Sequence, residues 1–174
     1  WDTHGCVGAV SVGPGALGVC AIDSSAQTWC WGDNLWGALG NGEIVGFSGP
    51  APVSNDPHFV ELEGDYYHLC GLNDEGRMWC WGYNDFGQLG NSGIIAMSSP
   101  VEVYGGFSFV DLGVGVAHTC GIRADGTTLC WGNNNWGQLG DGTDTPVAVP
   151  SPEKAVAGAV EFVQVACGAF HNCA

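Results

Sequence analysis

The 174 residues include 30 Gly, 8 Trp and 9 Cys, and only 12% are charged, which describes a chain of apolar strands and tight turns. No stretch approaches the roughly 20 apolar residues of a membrane-spanning helix, so membrane insertion is not expected. Three Lys+Arg against 18 Asp+Glu leave a formal net charge of −15, which repels phosphate backbones and disfavours nucleic acid as a partner.

The chain opens at Trp1 with no Met and no leader pattern, so it reads as a piece whose leader was removed or as an interior segment. The first predicted strand is the weak Ala9-Val-Ser-Val12, and a hairpin follows between Cys20 and Cys30 around Asp23-Ser-Ser-Ala26. Next comes Cys-Trp-Gly-Asp-Asn-Leu-Trp-Gly-Ala-Leu-Gly-Asn-Gly from Cys30, then a link at Gly49-Pro50. The same order returns twice. Phe59-Val-Glu-Leu62 and Phe109-Val-Asp-Leu112 are alternating strands. Cys70/Cys80 and Cys120/Cys130 enclose hairpins over Asn73-Asp-Glu-Gly76 and Ala-Asp-Gly126, and Ser99-Pro100 and Val149-Pro150 close the units. A last strand, Phe162-Val-Gln-Val165, leads to Cys173. Cys20, Cys70, Cys120 and Cys173 recur at spacings of 50, 50 and 53, the extra three residues falling between Pro150 and Phe162. The expected units are 9–58, 59–108, 109–161 and a truncated 162–174 within one partial domain, 1–174.

The stretches His68-Leu-Cys-Gly-Leu and His118-Thr-Cys-Gly-Ile, with the Cys-Trp-Gly-x-Asn-x-x-Gly-Gln-Leu-Gly blocks, resemble the two signatures of the regulator-of-chromosome-condensation repeat. The resemblance implies an all-β propeller with blades of four antiparallel strands, typically seven to a ring. Three and a half units do not close a ring. The expectation is therefore that further blades come from a larger polypeptide or assembly.

Cysteines ten residues apart across a hairpin stand opposite one another, so bridges are predicted for Cys20 with Cys30, Cys70 with Cys80 and Cys120 with Cys130. Reduced, buried thiols are the competing reading, and phase-locked pairing argues against it. Cys173 has the phase of a first partner whose mate lies past Ala174. Cys6 and Cys167 are out of phase; they pair with each other, with residues elsewhere, with another chain, or not at all.

His68, His118 and His171 share one phase, with Gly18 in the first unit. They form either a metal-binding ring or a hydrogen bond that every blade needs, and the hydrogen bond is preferred. Trp31, Trp81 and Trp131, followed five residues later by Trp36, Phe86 and Trp136, read as packing between blades in preference to a sugar platform. Trp29 and Trp79 are expected on the opposite side of their strands. Loops such as Gly40-Asn-Gly-Glu43 and Gly140-Asp-Gly-Thr-Asp144 carry oxygen ligands, yet their spacing is that of turns and not of a calcium loop. No nucleophile elbow, phosphate loop or metalloprotease helix occurs, so neither catalysis nor a cofactor is expected.

The expected function is a non-enzymatic, secreted or cell-surface module for protein interaction or assembly. Its partner is either another protein or further blades. Nucleotide exchange on a small GTPase, as in the family's founding member, is the alternative, and a secreted enzyme-inhibiting or carbohydrate-binding propeller is a third.

Overall fold

The computed structural model describes residues 18–44, 46–144, 151–152, 155–158 and 161–174. Cys6 and the strand expected at Ala9–Val12 lie outside them.

Strands β1 (Gly18–Ile22), β2 (Thr28–Asp33) and β3 (Phe47–Pro52) form the first antiparallel sheet in the order β1-β2-β3. The second, complete sheet is β4 (Phe59–Gly64), β5 (His68–Asn73), β6 (Met78–Gly82) and β7 (Met97–Glu102), again in chain order. β8 (Phe109–Val114), β9 (His118–Arg123) and β10 (Thr128–Gly132) make the third. Beside β10, Ala155 bridges Leu129, in the place where Glu102 pairs with Trp79 in the second sheet. A two-stranded ribbon of β11 (Ala166–Cys167) and β12 (Asn172–Cys173) completes the described chain. No helix among the described residues is long and apolar enough to cross a membrane.

Each hairpin register sets its cysteines face to face: Cys20 opposite Cys30, Cys70 opposite Cys80, Cys120 opposite Cys130. Cα separations of 4.2, 4.1 and 4.1 Å allow a disulfide in each. The Trp-Gly step after each second cysteine is irregular. At Gly82 the ladder shifts register and φ is +105°, and a Cβ there would lie 2.5 Å from the Tyr67 carbonyl oxygen, so only glycine fits.

Two strand expectations are corrected. In a regular strand Phe59 and Leu62, three apart, would face opposite sides. A bulge between Phe59 and Glu61 turns both inward, at 1% and 0% exposure, and leaves Val60 outside; the same shift sits between Phe109 and Asp111. Trp79 and Trp81 do not point apart. Residues two apart share a face, and both rings meet Phe59, with centroids 6.1 and 5.4 Å away.

The apolar core lies between consecutive sheets. Cys20, Cys30 and Leu39 of the first pack with Phe59, Leu62 and Trp81 of the second. Cys70, Cys80 and Leu89 pack with Phe109, Leu112 and Trp131 of the third, and Cys120, Cys130 and Leu139 with Val165. Each disulfide therefore sits on the face that the next unit covers. This is the stacking of propeller blades.

Candidate functional site

The phased residues are best understood at the junction of the second and third blades. Trp131, fully buried, donates from Nε1 to the Gln88 carbonyl at 2.9 Å. Thr119 Oγ1 donates to the same carbonyl at 2.9 Å and accepts from His68 Nε2, also at 2.9 Å. The hydroxyl has one proton, given to Gln88, so the His68 proton is on Nε2. Burial, then the neighbouring His118, holds the His68 ring well below the usual range, at about 3, so it stays neutral.

The next junction repeats the device with one substitution. His118 Nε2 donates to Asn172 Oδ1 at 2.7 Å, and Asn172 Nδ2 donates to the Gln138 carbonyl at 2.6 Å. Burial again lowers the His118 pKa. Both Nδ1 atoms lack a hydrogen-bond partner among the described residues. Two of the three phased histidines are thus links between blades, and His171 is exposed. His118, Cys120 and Cys167 present ligand atoms within 4.8 Å of one another, but the Cys120 sulfur is bonded to Cys130, which leaves too few donors for tetrahedral zinc. Cys167 and Cys173 are free thiols, and burial followed by the Glu63 charge pushes Cys167 up to about 12.

The tryptophans divide. Trp81 donates to the Ala38 carbonyl at 2.9 Å as Trp131 does to Gln88, and Trp31 is half-buried. Trp36 and Trp136 are 45% and 74% exposed. The oxygen-rich loops are held internally. Asn34, Asn84 and Asn134, buried at the same phase, each accept from a leucine N–H five residues on, at 2.9, 2.9 and 3.0 Å, and donate back to the loop at Asn41, Asn91 and Asp141. These asparagines are structural residues that sequence reasoning missed, although each stands at a fixed step after Cys-Trp-Gly.

The first junction differs. Gly18 holds the place of His68, Leu69 that of Thr119, and Ala38 that of Gln88. Between these blades a cleft of about 250 Å³ is lined by Gly18, Ala38 and Leu69, with Asp33, Trp36, Asp65, Tyr66 and Tyr67 among its other walls. The rings form a continuous run: Trp36 to Tyr83 5.0 Å, Tyr83 to Tyr67 5.6 Å and Tyr67 to Tyr66 5.3 Å between centroids. Tyr83 donates to Asp85 at 2.9 Å, and partial burial, then that carboxylate, raises its hydroxyl to about 12. Among the described residues no paired nucleophile and base lines this cleft.

Family models of the regulator of chromosome condensation (RCC1) repeat match residues 125–174 and 64–88. Comparison with curated proteins finds no match. Among solved structures, human WBSCR16 is 24% identical, with a TM-score of 0.77 over 88% of this chain and 41% of its own. Prp20p from Saccharomyces cerevisiae is 16% identical at a TM-score of 0.80, over 92% of this chain and 42% of its own. The ectodomain of the Arabidopsis thaliana receptor kinase ACR4 is 22% identical at 0.53, over 91% and 45%. The chain spans about two-fifths of the length of these proteins, and at such identities the likeness is one of fold.

Proposed function

We propose that this chain, which carries RCC1-type repeats folded as propeller blades, is a non-enzymatic protein-interaction module of the extracellular space or cell surface. The observation that carries the reading is the set of three hairpin disulfides, each buried under the next blade, since such bridges persist in oxidising compartments. His68, His118, Trp81 and Trp131 are absorbed by blade stacking, which leaves the exposed aromatic side chains, surface clefts and charge as the means of recognition. One fold relative, ACR4, is an ectodomain.

Nucleotide exchange is the second reading, because the Prp20p structure was reported with its binding to Gsp1p and histones. A net charge of −15 and bridged cysteines favour it less. Non-reducing peptide mapping of the native protein, run beside an exchange assay on Gsp1p, tests both. The expected result is three hairpin bridges and no acceleration of exchange. Freely alkylated Cys70 and Cys80 would remove the extracellular assignment, and strong exchange would replace the function.

A further inference from the structure

In a tandem repeat, side chains that recur in phase serve the blade, and those that break phase serve something local. Six departures meet at the junction of the first and second blades. Two remove bulk, Gly18 for histidine and Ala38 for glutamine, and a third, Leu69 for threonine or asparagine, removes the polar partner. At the second junction the side chains of His68, Gln88 and Thr119 are all fully buried. At the first, their counterparts Gly18, Ala38 and Leu69 line the cleft of about 250 Å³. Three departures add rings and charge: Asp65, Tyr66 and Tyr67 stand where the third blade has Gly115, Val116 and Ala117, and all three line the same cleft.

Pockets that enclose a small-molecule ligand are usually roughly 300–1,000 Å³, so this one suits a single long side chain. Its aromatic rim is inclined, not flat: the planes of Trp36, Tyr67 and Tyr66 meet their neighbours at 59°, 56° and 59°, which makes walls in place of the platform a sugar ring stacks on. Two carboxylates line it. Asp33 and Asp65 each accept one local backbone N–H, from Leu35 at 2.9 Å and Tyr66 at 2.7 Å, through Oδ1, and Oδ2 of each has no hydrogen bond among the described residues. The described cations are elsewhere, Arg77 against Glu102 and Arg123 against Asp125.

We propose that the cleft between the first two blades receives an arginine side chain from a basic segment of a partner protein, stacked between Trp36 and Tyr67 and held by Asp33 and Asp65. A guanidinium is the cation that stacks flat on aromatic rings and donates in a fork to carboxylates. The assignment rests on the protein-interaction reading above and names where the contact is made.

The test titrates the whole chain with a capped, fluorescently labelled Gly-Ser-Gly-Arg-Gly-Ser-Gly peptide and with its citrulline counterpart, which keeps the shape and loses the charge. The arginine peptide is expected to bind at least about tenfold more tightly. Ala38→Gln, which installs the side chain that Gln88 and Gln138 already carry, should close the cleft and lower affinity by about tenfold or more, with near-UV circular dichroism unchanged. Asp65→Asn and the exposed Trp36→Ala give the same loss by other routes, should Ala38→Gln fail to fold. Equal affinity for the two peptides, or indifference to all three substitutions, overturns the proposal, as does binding of a chito- or malto-oligosaccharide without the arginine peptide. A partner protein that binds Ala38→Gln at full strength likewise overturns the cleft assignment, while leaving the interaction reading intact.

Discussion

Glu63 on β4 sends Oε2 across to the Val114 N–H of the next blade at 3.3 Å, close to Glu61 and Asp111. Burial, reinforced by those two charges and opposed by the Val114 hydrogen bond, raises its carboxyl from 4.5 to about 7. Between those two pH values the folded chain holds a proton that the unfolded chain has released. This contribution to stability is therefore complete below pH 4.5 and is lost as pH rises through 7. His68 and His118, with lowered pKa values, act in the other direction by costing stability as pH falls below 6.5, so the comparison must cancel them. Glu63→Gln keeps an acceptor for Val114 and removes the titration. Relative to wild type it should gain about 1–2 kcal/mol between pH 5 and pH 8, a figure reduced for the partial exposure of Glu63, in urea denaturation at the two pH values. A constant difference would show that Glu63 is not coupled to folding.

Among the elements, the Gly-x-Leu-Gly turns carry the joint between blades. Gly90 has φ +66°, and a Cβ on it would lie 2.6 Å from Nε1 of the fully buried Trp131. Gly140 has the same conformation, φ +65°, but its Cβ would meet only a Val156 methyl at 3.1 Å. Gly140→Ala is thus expected to cost about 1–2 kcal/mol from the backbone alone, and Gly90→Ala about 3 kcal/mol or more because the indole must also move. Denaturant midpoints would separate them, and equal costs would mean that the Trp131 joint is not rigid. These turns, the hairpins and the opposed cysteines were legible from the period of about 50, since each follows from a residue type at a fixed step. The bulge at Phe59 was not, because Phe-Val-Glu-Leu has the alternation of a flat strand and nothing local marks the extra residue. The cleft was less legible still. It arises where Gly18 and Ala38 lack bulk, far apart in the chain, and small residues signal little until the blades bring them together.

For the whole molecule, a net charge of −15 is set against two described surface ion pairs, Arg77–Glu102 and Arg123–Asp125. Self-repulsion outweighs such exposed pairs, so raising NaCl from 10 to 150 mM should stabilise the fold, on the order of 1 kcal/mol, in thermal or urea unfolding. Destabilisation by salt would instead mean that attraction within the ion pairs outweighs the repulsion. The junctions bear on how such chains can be rearranged. A blade presents His and Gln, or Gly and Ala, on its forward face, and Thr, Asn or Leu on its backward face. Joining the blade of His118 to that of Leu69 would bury an imidazole N–H with no acceptor, at about 1–3 kcal/mol. Shuffling or duplicating these units, in a genome or at the bench, therefore succeeds only when matched faces travel together, and repeats that read almost alike are not interchangeable parts.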